Sequence, residues 1–333
     1  MKMVSVWEFV SEQWQKLPVL ATTETCAGKT YIVTGSNTGL GLEAAKHLVR
    51  VRANKVIIAV RNLKAGEAAK AEIESATNNR GVAEVWHLDL ASFESVKEFA
   101  KRAIEKLDRI DGLIKNASVA LDKFALAEGY ESTATINILS TFLLAILLLP
   151  KMTETAKRFN IQPHLTIATS EAGFAVKEAF DSVKDNLMTK LNDPRTSDMR
   201  QRYPVTKLIQ QFAGRHLATL LPVSKTGVVL NLVNPGLCRT ALSRHVGFFL
   251  RLQIVIAIFL IGRTVEMGSR TLLHAVVAGE ESHGCYVSAC EVKEDQVPSW
   301  VKGEEGRKQG KLIWGEIARV LETVNPGCLS KVL

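Results

Sequence analysis

At 333 residues, with 47% hydrophobic and 23% charged content, the chain can bury one large α/β core or two modest ones, and it is not a disordered polymer. Its net charge of +8 is scattered through helical stretches and not gathered into a stripe beside a reader motif, which speaks against nucleic-acid binding and leaves anionic cofactors or membrane surfaces open. Cys26, Cys238, Cys285, Cys290 and Cys328 are odd in number and lack Cys-x-x-Cys spacing, and no His set completes a zinc site. They read as free thiols in a reducing compartment, so the expectation is a cytoplasmic protein without a metal.

The first 27 residues read as an amphipathic helix and linker. Trp7, Val10, Trp14 and Leu17 recur at helical spacing up to Pro18, and Glu8, Glu12 and Gln13 interrupt any secretory apolar run. Packing of this helix on the domain surface is favoured over membrane contact. From residue 28 to 323 short apolar runs alternate with amphipathic stretches. KTYIVTG, KVIIAV, VAEVWHLDL and DGLIKNA read as four strands, with helices over GLGLEAAKHLVRV, LKAGEAAKAEIESAT and ASFESVKEFAKRAIEKL. A long helix is expected over about 128–158. HLTIATS and TGVVLNLVNPG supply two further strands, SHGCYVS a short last one, and GEEGRKQGKLIWGEIARVLETV a terminal helix before a tail at 324–333. Continuous Val/Ile/Leu strands alternating with helices predict a single doubly wound α/β domain, a parallel sheet covered on both faces.

Two segments read as substrate walls. Residues 171–200, rich in polar side chains, suggest a loop-and-helix insertion over the sheet edge. Residues 241–263 are strongly apolar, but Arg251 splits the run, and Leu252 to Gly262 is well short of the ~20 residues a membrane span needs. This run reads as a lid helix packed on the core, as a cover for a greasy substrate, or as both.

TGSNTGLG (Thr34 to Gly41) lies where the first strand meets the first helix. Gly35, Gly39 and Gly41 would allow a tight turn and close approach of backbone to a pyrophosphate at the helix N-terminus. The second strand ends in Val60 and Arg61 with no acid. Arg61 suits a 2′-phosphate and so NADP over NAD, unless it stacks on adenine or points to water. Asp89, ending the third strand, could accept from the adenine amino group or cap the next helix, a task for which Ser92 competes. Tyr203 and Lys207, in YPVTK, share a helix face, where an ammonium would favour the phenolate and lower its pKa.

Together these motifs resemble the short-chain dehydrogenase/reductase family, over nearly the whole of 28–323 and nearest to retinol dehydrogenases and the tailoring reductases of fungal secondary metabolism. The resemblance implies a Rossmann-type fold, a nicotinamide cofactor and a tetrad of Asn137 (INILSTF), Ser170 (TSEAG), Tyr203 and Lys207. It also implies a cofactor site of Gly35, Asn37, Thr38, Gly39, Leu40, Gly41, Arg61, Asp89, Leu90, Asn116, Tyr203, Lys207, Pro235, Gly236 and Thr240. In it Asn137 would keep a proton-relay water in place beside Lys207. The family's Asn-Asn-Ala-Gly segment corresponds to KNAS, where Lys115 and Ser118 replace Asn and Gly. The function expected is NADPH-dependent reduction of a ketone, or oxidation of the matching alcohol, on a hydrophobic small molecule. The alternative is a non-redox cyclase, isomerase or scaffold in which KNAS impairs hydride transfer. Pairing through the two long helices, about 128–158 and 200–221, would give a homodimer or homotetramer.

Overall fold

A computed structural model describes residues 6–195, 197–240 and 248–332. Eight strands form the central sheet: β1 (Thr30–Thr34), β2 (Lys55–Val60), β3 (Ala83–His87), β4 (Gly112–Lys115), β5 (His164–Ala168), β6 (Val229–Asn234), β7 (Tyr286–Ser288) and β8 (Glu291–Val292). Their order is β8-β7-β6-β5-β4-β1-β2-β3, parallel throughout except for the antiparallel edge pair β7–β8. Successive residues of β1 show why the strands read as unbroken apolar runs. Ile32 belongs to one core cluster, Tyr31 and Val33 to the cluster on the opposite face.

One face is covered by α2 (Gly39–Arg50), α3 (Leu63–Thr77) and a helix near the C-terminus; the other by α4 (Phe93–Lys106), α5 (Ser140–Phe159), α6 (Met199–Leu220) and the terminal helix (Glu304–Val324). The chain moves from β1 outward to β3, then returns to the far side of β1 for β4. That reversal opens a crevice beyond the carboxyl ends of β1 and β4, where doubly wound sheets bind ligands.

The long helix begins later than the sequence suggests. Residues 126–131 form a small hairpin, Leu126–Ala127 with Tyr130–Glu131, and helix follows only from Ser132. Glu131 ends the hairpin and caps the helix, its carboxylate accepting from the amides of Thr133 and Ala134. A π-helical turn, Thr135–Leu139, then precedes α5 and carries Asn137. The continuous run Ser132–Phe159 is long and apolar enough to cross a membrane, but 94% of its most apolar window is buried, which makes it the core helix of this domain. The 171–200 insertion is a 3₁₀ turn (Glu171–Ala175) and two short helices (Lys177–Val183 and Leu187–Leu191). The carboxylate of Glu316 on the terminal helix ties it down by accepting from the amides of Leu187 and Met188.

The N-terminal helix α1 (Val6–Trp14) packs by a different face from the one its spacing suggests. Trp7 and Trp14 are 74% and 65% exposed and Gln13 is buried; of the expected stripe, Leu17, just beyond the helix, is buried. The reason is a polar latch. Gln13 Nε2 donates to the carbonyl of Leu237 (2.9 Å), and Gln13 Oε1 accepts from the Leu237 amide (3.2 Å). The guanidinium of Arg263, itself buried, donates to the carbonyls of Glu12 and Pro235. Turning that face outward would leave the two Leu237 groups without their side-chain partner, and leaving such groups unpaired is costly. Gln13→Ala would strand both Leu237 groups, and chemical denaturation should show a loss of about 1–3 kcal/mol; an unchanged midpoint would mean that the latch does not hold the helix.

Candidate active site

Gly35 and Gly39 adopt φ of +66° and +62°, the left-handed region that favours glycine. Gly41 is required for a different reason: a Cβ there would lie 2.6 Å from Asn116 Nδ2 and 2.8 Å from the Gly35 carbonyl. The crowding arises because Asn116 Nδ2 donates to the carbonyls of Thr34 (3.0 Å) and Gly35 (3.4 Å), while the Ala117 amide donates to Thr34 Oγ1 (3.0 Å). The end of β4 is thereby stitched to the glycine loop. Thr38 takes the cap position of α2 without a side-chain cap bond, and no acid stands in the first turn. The amide groups of Gly39, Leu40 and Gly41 thus open a helix that keeps its positive end for an anion. Asn37 lies in the same turn, partly exposed. Thr240 reaches the loop from the other side, its Cγ2 placed 3.8 Å from where a Gly39 Cβ would be.

Arg61 is exposed directly after β2, just before Asn62, which caps α3. Asp89 lies two residues past the end of β3, not at its last residue as expected, and Ser92 is the residue that caps α4. Asp89 Oδ1 instead accepts from the Ala91 amide at 2.9 Å. Leu90 is buried in the core.

The four candidate catalytic residues converge from three elements. Ser170 follows β5; its Oγ accepts from the Ala172 amide (3.2 Å), which leaves the hydroxyl proton to donate elsewhere. Lys207 on α6 is 2% exposed, and its Nζ donates to the carbonyl of Ala168 (2.7 Å) and to Gln210 Oε1 (3.1 Å). The same ammonium lies 5.5 Å from the Tyr203 ring centroid. Asn137 uses its whole amide: Oδ1 accepts from Ser118 Oγ (3.0 Å) and the Val119 amide (2.9 Å), and Nδ2 donates to the Val119 carbonyl (2.9 Å) and Thr206 Oγ1 (3.1 Å). Ser118, the departure from the family's glycine, is thus bonded into the site. Lys115 is buried, its Nζ has no hydrogen-bond partner among the described residues, and burial pushes its pKa down to about 7.

The expected lowering of the Tyr203 phenol does not occur here. Burial, with a smaller effect of Cys238, pushes it well above its ordinary value, and burial alone brings Lys207 down to about 7. Desolvation drives both groups towards their neutral forms. Beside them Glu171 is pushed up to about 7, first by burial and then by Glu12. The Pro235–Gly236 turn closes the site: Gly236 has φ +80°, and a Cβ there would meet Gln13 Oε1 and Arg263 Nη1 within 2.7 Å. Gln13, Arg263, Thr206 and Gln210 were not among the sequence candidates. Gln210 and Thr206 carried a legible signal, lying one helical turn beyond Lys207 and Tyr203 respectively. Gly41→Ala should leave the far-ultraviolet circular dichroism intact and weaken nicotinamide dinucleotide binding by at least about tenfold, since its methyl must displace Asn116 or the loop; equal affinity would show that the loop is not the binding cradle.

The family model for short chain dehydrogenases matches residues 29–162. The short chain dehydrogenase/reductase dmxR8 of Cryptosporiopsis sp. (strain 8999) is 41% identical over 330 residues, 96% of this chain and 98% of the relative. The short chain dehydrogenase atnD of Emericella nidulans is 41% identical over 84% of this chain and 89% of its own. Among solved structures, a short chain dehydrogenase from Pseudomonas syringae superposes with a TM-score of 0.62 at 21% identity, over 83% of this chain and 100% of that one. One from Shigella flexneri, complexed with NADP, gives 0.59 at 20% identity, over 81% and 100%. The chain, with its stitched glycine loop and its Tyr203–Lys207 helix, belongs to the short-chain dehydrogenase/reductase family.

Proposed function

We propose that the protein uses NADPH to reduce a ketone on a hydrophobic small molecule of secondary metabolism, and that it oxidises the matching secondary alcohol in reverse. The observation that carries this reading is the placement of Lys207: buried, with no acidic partner, tied to the carbonyl two residues before Ser170 and one helical turn from Tyr203. The β1/β4 crevice and the glycine loop would hold the cofactor, which when bound would supply a hydride to the substrate's carbonyl carbon. Tyr203 gives its phenolic proton to the developing alkoxide. Ser170 donates its free hydroxyl proton to the same oxygen as a hydrogen bond. Lys207, charged, stabilises the phenolate that remains. The uncapped start of α2 would take the pyrophosphate and Arg61 the 2′-phosphate, with Asp89 and the backbone at Leu90 beside the adenine.

The substrate reading rests on the surface next to Thr240. An open surface concavity of about 290 Å³ is lined by Arg239, Thr240, Val255, Ile258 and Phe259. The last three lie on the apolar helix Phe248–Ile261, whose Ile256, Phe259 and Leu260 are also exposed. Residues 241–247, part of the expected wall, lie outside the described residues. An apolar wall with few polar groups favours a greasy, ring-bearing ketone. The bonded Ser118 and the Asn116 stitch favour this reading over a non-redox one.

Tyr203→Phe tests the chemistry. Ketone turnover should fall by at least about 100-fold with NADPH affinity retained, because only the transferable proton is lost; unchanged turnover would refute the mechanism. Arg61→Asp tests the cofactor. It should weaken NADPH about 10–100-fold and improve NADH, the loss of one charge-assisted contact plus a new acceptor for the ribose hydroxyls; an unchanged NADPH/NADH ratio would release Arg61 from that role.

A further inference from the structure

Gln210 Nε2 donates to the main-chain carbonyl of Asn137 at 2.5 Å, and Gln210 Oε1 accepts from Lys207 Nζ at 3.1 Å. All three residues are buried, at 2%, 0% and 2% exposure for Gln210, Asn137 and Lys207. The orientation of the amide is set by its neighbours, since an ammonium can only donate and a carbonyl can only accept. Asn137 can offer that carbonyl because it sits in the π-helical turn, where the backbone ladder is displaced.

We infer that Gln210 is a positioning residue for Lys207, a strut that occupies the space between the ammonium and Asn137 and closes the inward end of the proton path. This rests on the reductase reading above, and it replaces the relay water expected at Asn137. A carboxamide cannot hand on a net proton without becoming an imidic acid, and the Asn137 carbonyl has no proton to supply. The proton that Lys207 or Tyr203 gives up in a reduction must therefore be restored from the open side of the site. Titratable groups on the elements around Lys207 are Tyr203 on its own helix, Lys115 at the end of β4, Glu171 in the 3₁₀ turn and Cys238 after β6. Burial is nonetheless the sole cause of the displaced Lys207 titration. The acceptors that meet Nζ, the Ala168 carbonyl and Gln210 Oε1, are both uncharged.

Two variants separate this role from simple packing. Gln210→Met fills the space with apolar atoms, removes the acceptor and leaves the Asn137 carbonyl unpaired. Gln210→Ala opens a small polar space, bordered by Nζ and a carbonyl, that is large enough for a water. In ketone reduction, the alkaline limb of the rate profile should move down by about one pH unit in Gln210→Met, the scale of one lost hydrogen bond to a charged group. In Gln210→Ala it should move less. A packing role gives the reverse order of damage, with Ala worse than Met and neither limb displaced, and that result would overturn the inference.

Thermal unfolding of the protein alone, without substrate, gives an independent reading. Lys207 has a folded pKa near 7 and an unfolded one near 10.5, so its contribution to stability rises with pH between those values and its penalty is fully present below about 7. Lowering the folded value further in Gln210→Met adds penalty only below about 7. The gap in melting temperature to wild type should therefore widen from pH 8.5 to pH 5.5. A constant gap would sink the inference. If wild type reduces no ketone while the gap widens, the reductase reading fails and the strut stands. Should Gln210→Met not fold, the same pH comparison on Gln210→Ala decides: a gap that stays constant and large indicates packing, and one that stays small with a modest widening at low pH indicates the strut.

Discussion

The site depends on keeping a lysine inside the protein without giving it a carboxylate. Lys207 is surrounded by desolvating atoms, and among the described residues its Nζ donates to the carbonyl of Ala168 and the amide oxygen of Gln210. A paired acid would have made the ammonium more stable and less useful, since its field would be spent on a permanent partner. Neutral acceptors leave the field available to a phenol one turn away. The same economy fixes the surroundings. Ala168 ends β5 just ahead of Ser170, so the bond that anchors the lysine also sets α6 against the strand that carries the serine. Gln210 ties the lysine to the π turn, and the Asn137 side chain in that turn ties back to Ser118 and Val119 after β4. From β4, Asn116 reaches the glycine loop. One hydrogen-bonded chain therefore runs from α6 to the cofactor cradle.

A second constraint comes from the N-terminus. The turn at Pro235 and Gly236 is not held by its own strand alone; Gln13 and Arg263 grip it from outside. Arg263 begins the segment after the apolar helix, and Gln13 belongs to α1, so two peripheral elements meet on one turn at the site's edge. Motion of either would be felt where Thr240 approaches Gly39.

The fold was legible because its signals are redundant. Unbroken apolar strands, glycines at the first strand–helix junction and the Tyr203/Lys207 pair all point the same way, and each lies in an element whose burial demands it. What the sequence hid was polar contact between distant segments. Trp7 and Trp14 suggested a buried stripe, but the buried residue was Gln13, whose partner is over 200 positions away. The hairpin at 126–131 was read as helix because its strands are too short to show a period. The direction of the Tyr203 shift was misjudged for a related reason: proximity of an ammonium was visible in the spacing, while the depth of burial that outweighs it was not. The bond from the Ser118 hydroxyl to Asn137 joins two segments 19 positions apart and has no signature in the sequence.

Direct transfer of hydride is the claim on which the account turns. The wild-type protein would be incubated with a panel of hydrophobic ketones and NADPH deuterated separately on each face of C4, and the alcohol analysed by mass spectrometry. The account predicts that deuterium from one face alone appears on the carbinol carbon. Alcohol without label from either face, or no alcohol despite bound NADPH, would contradict it.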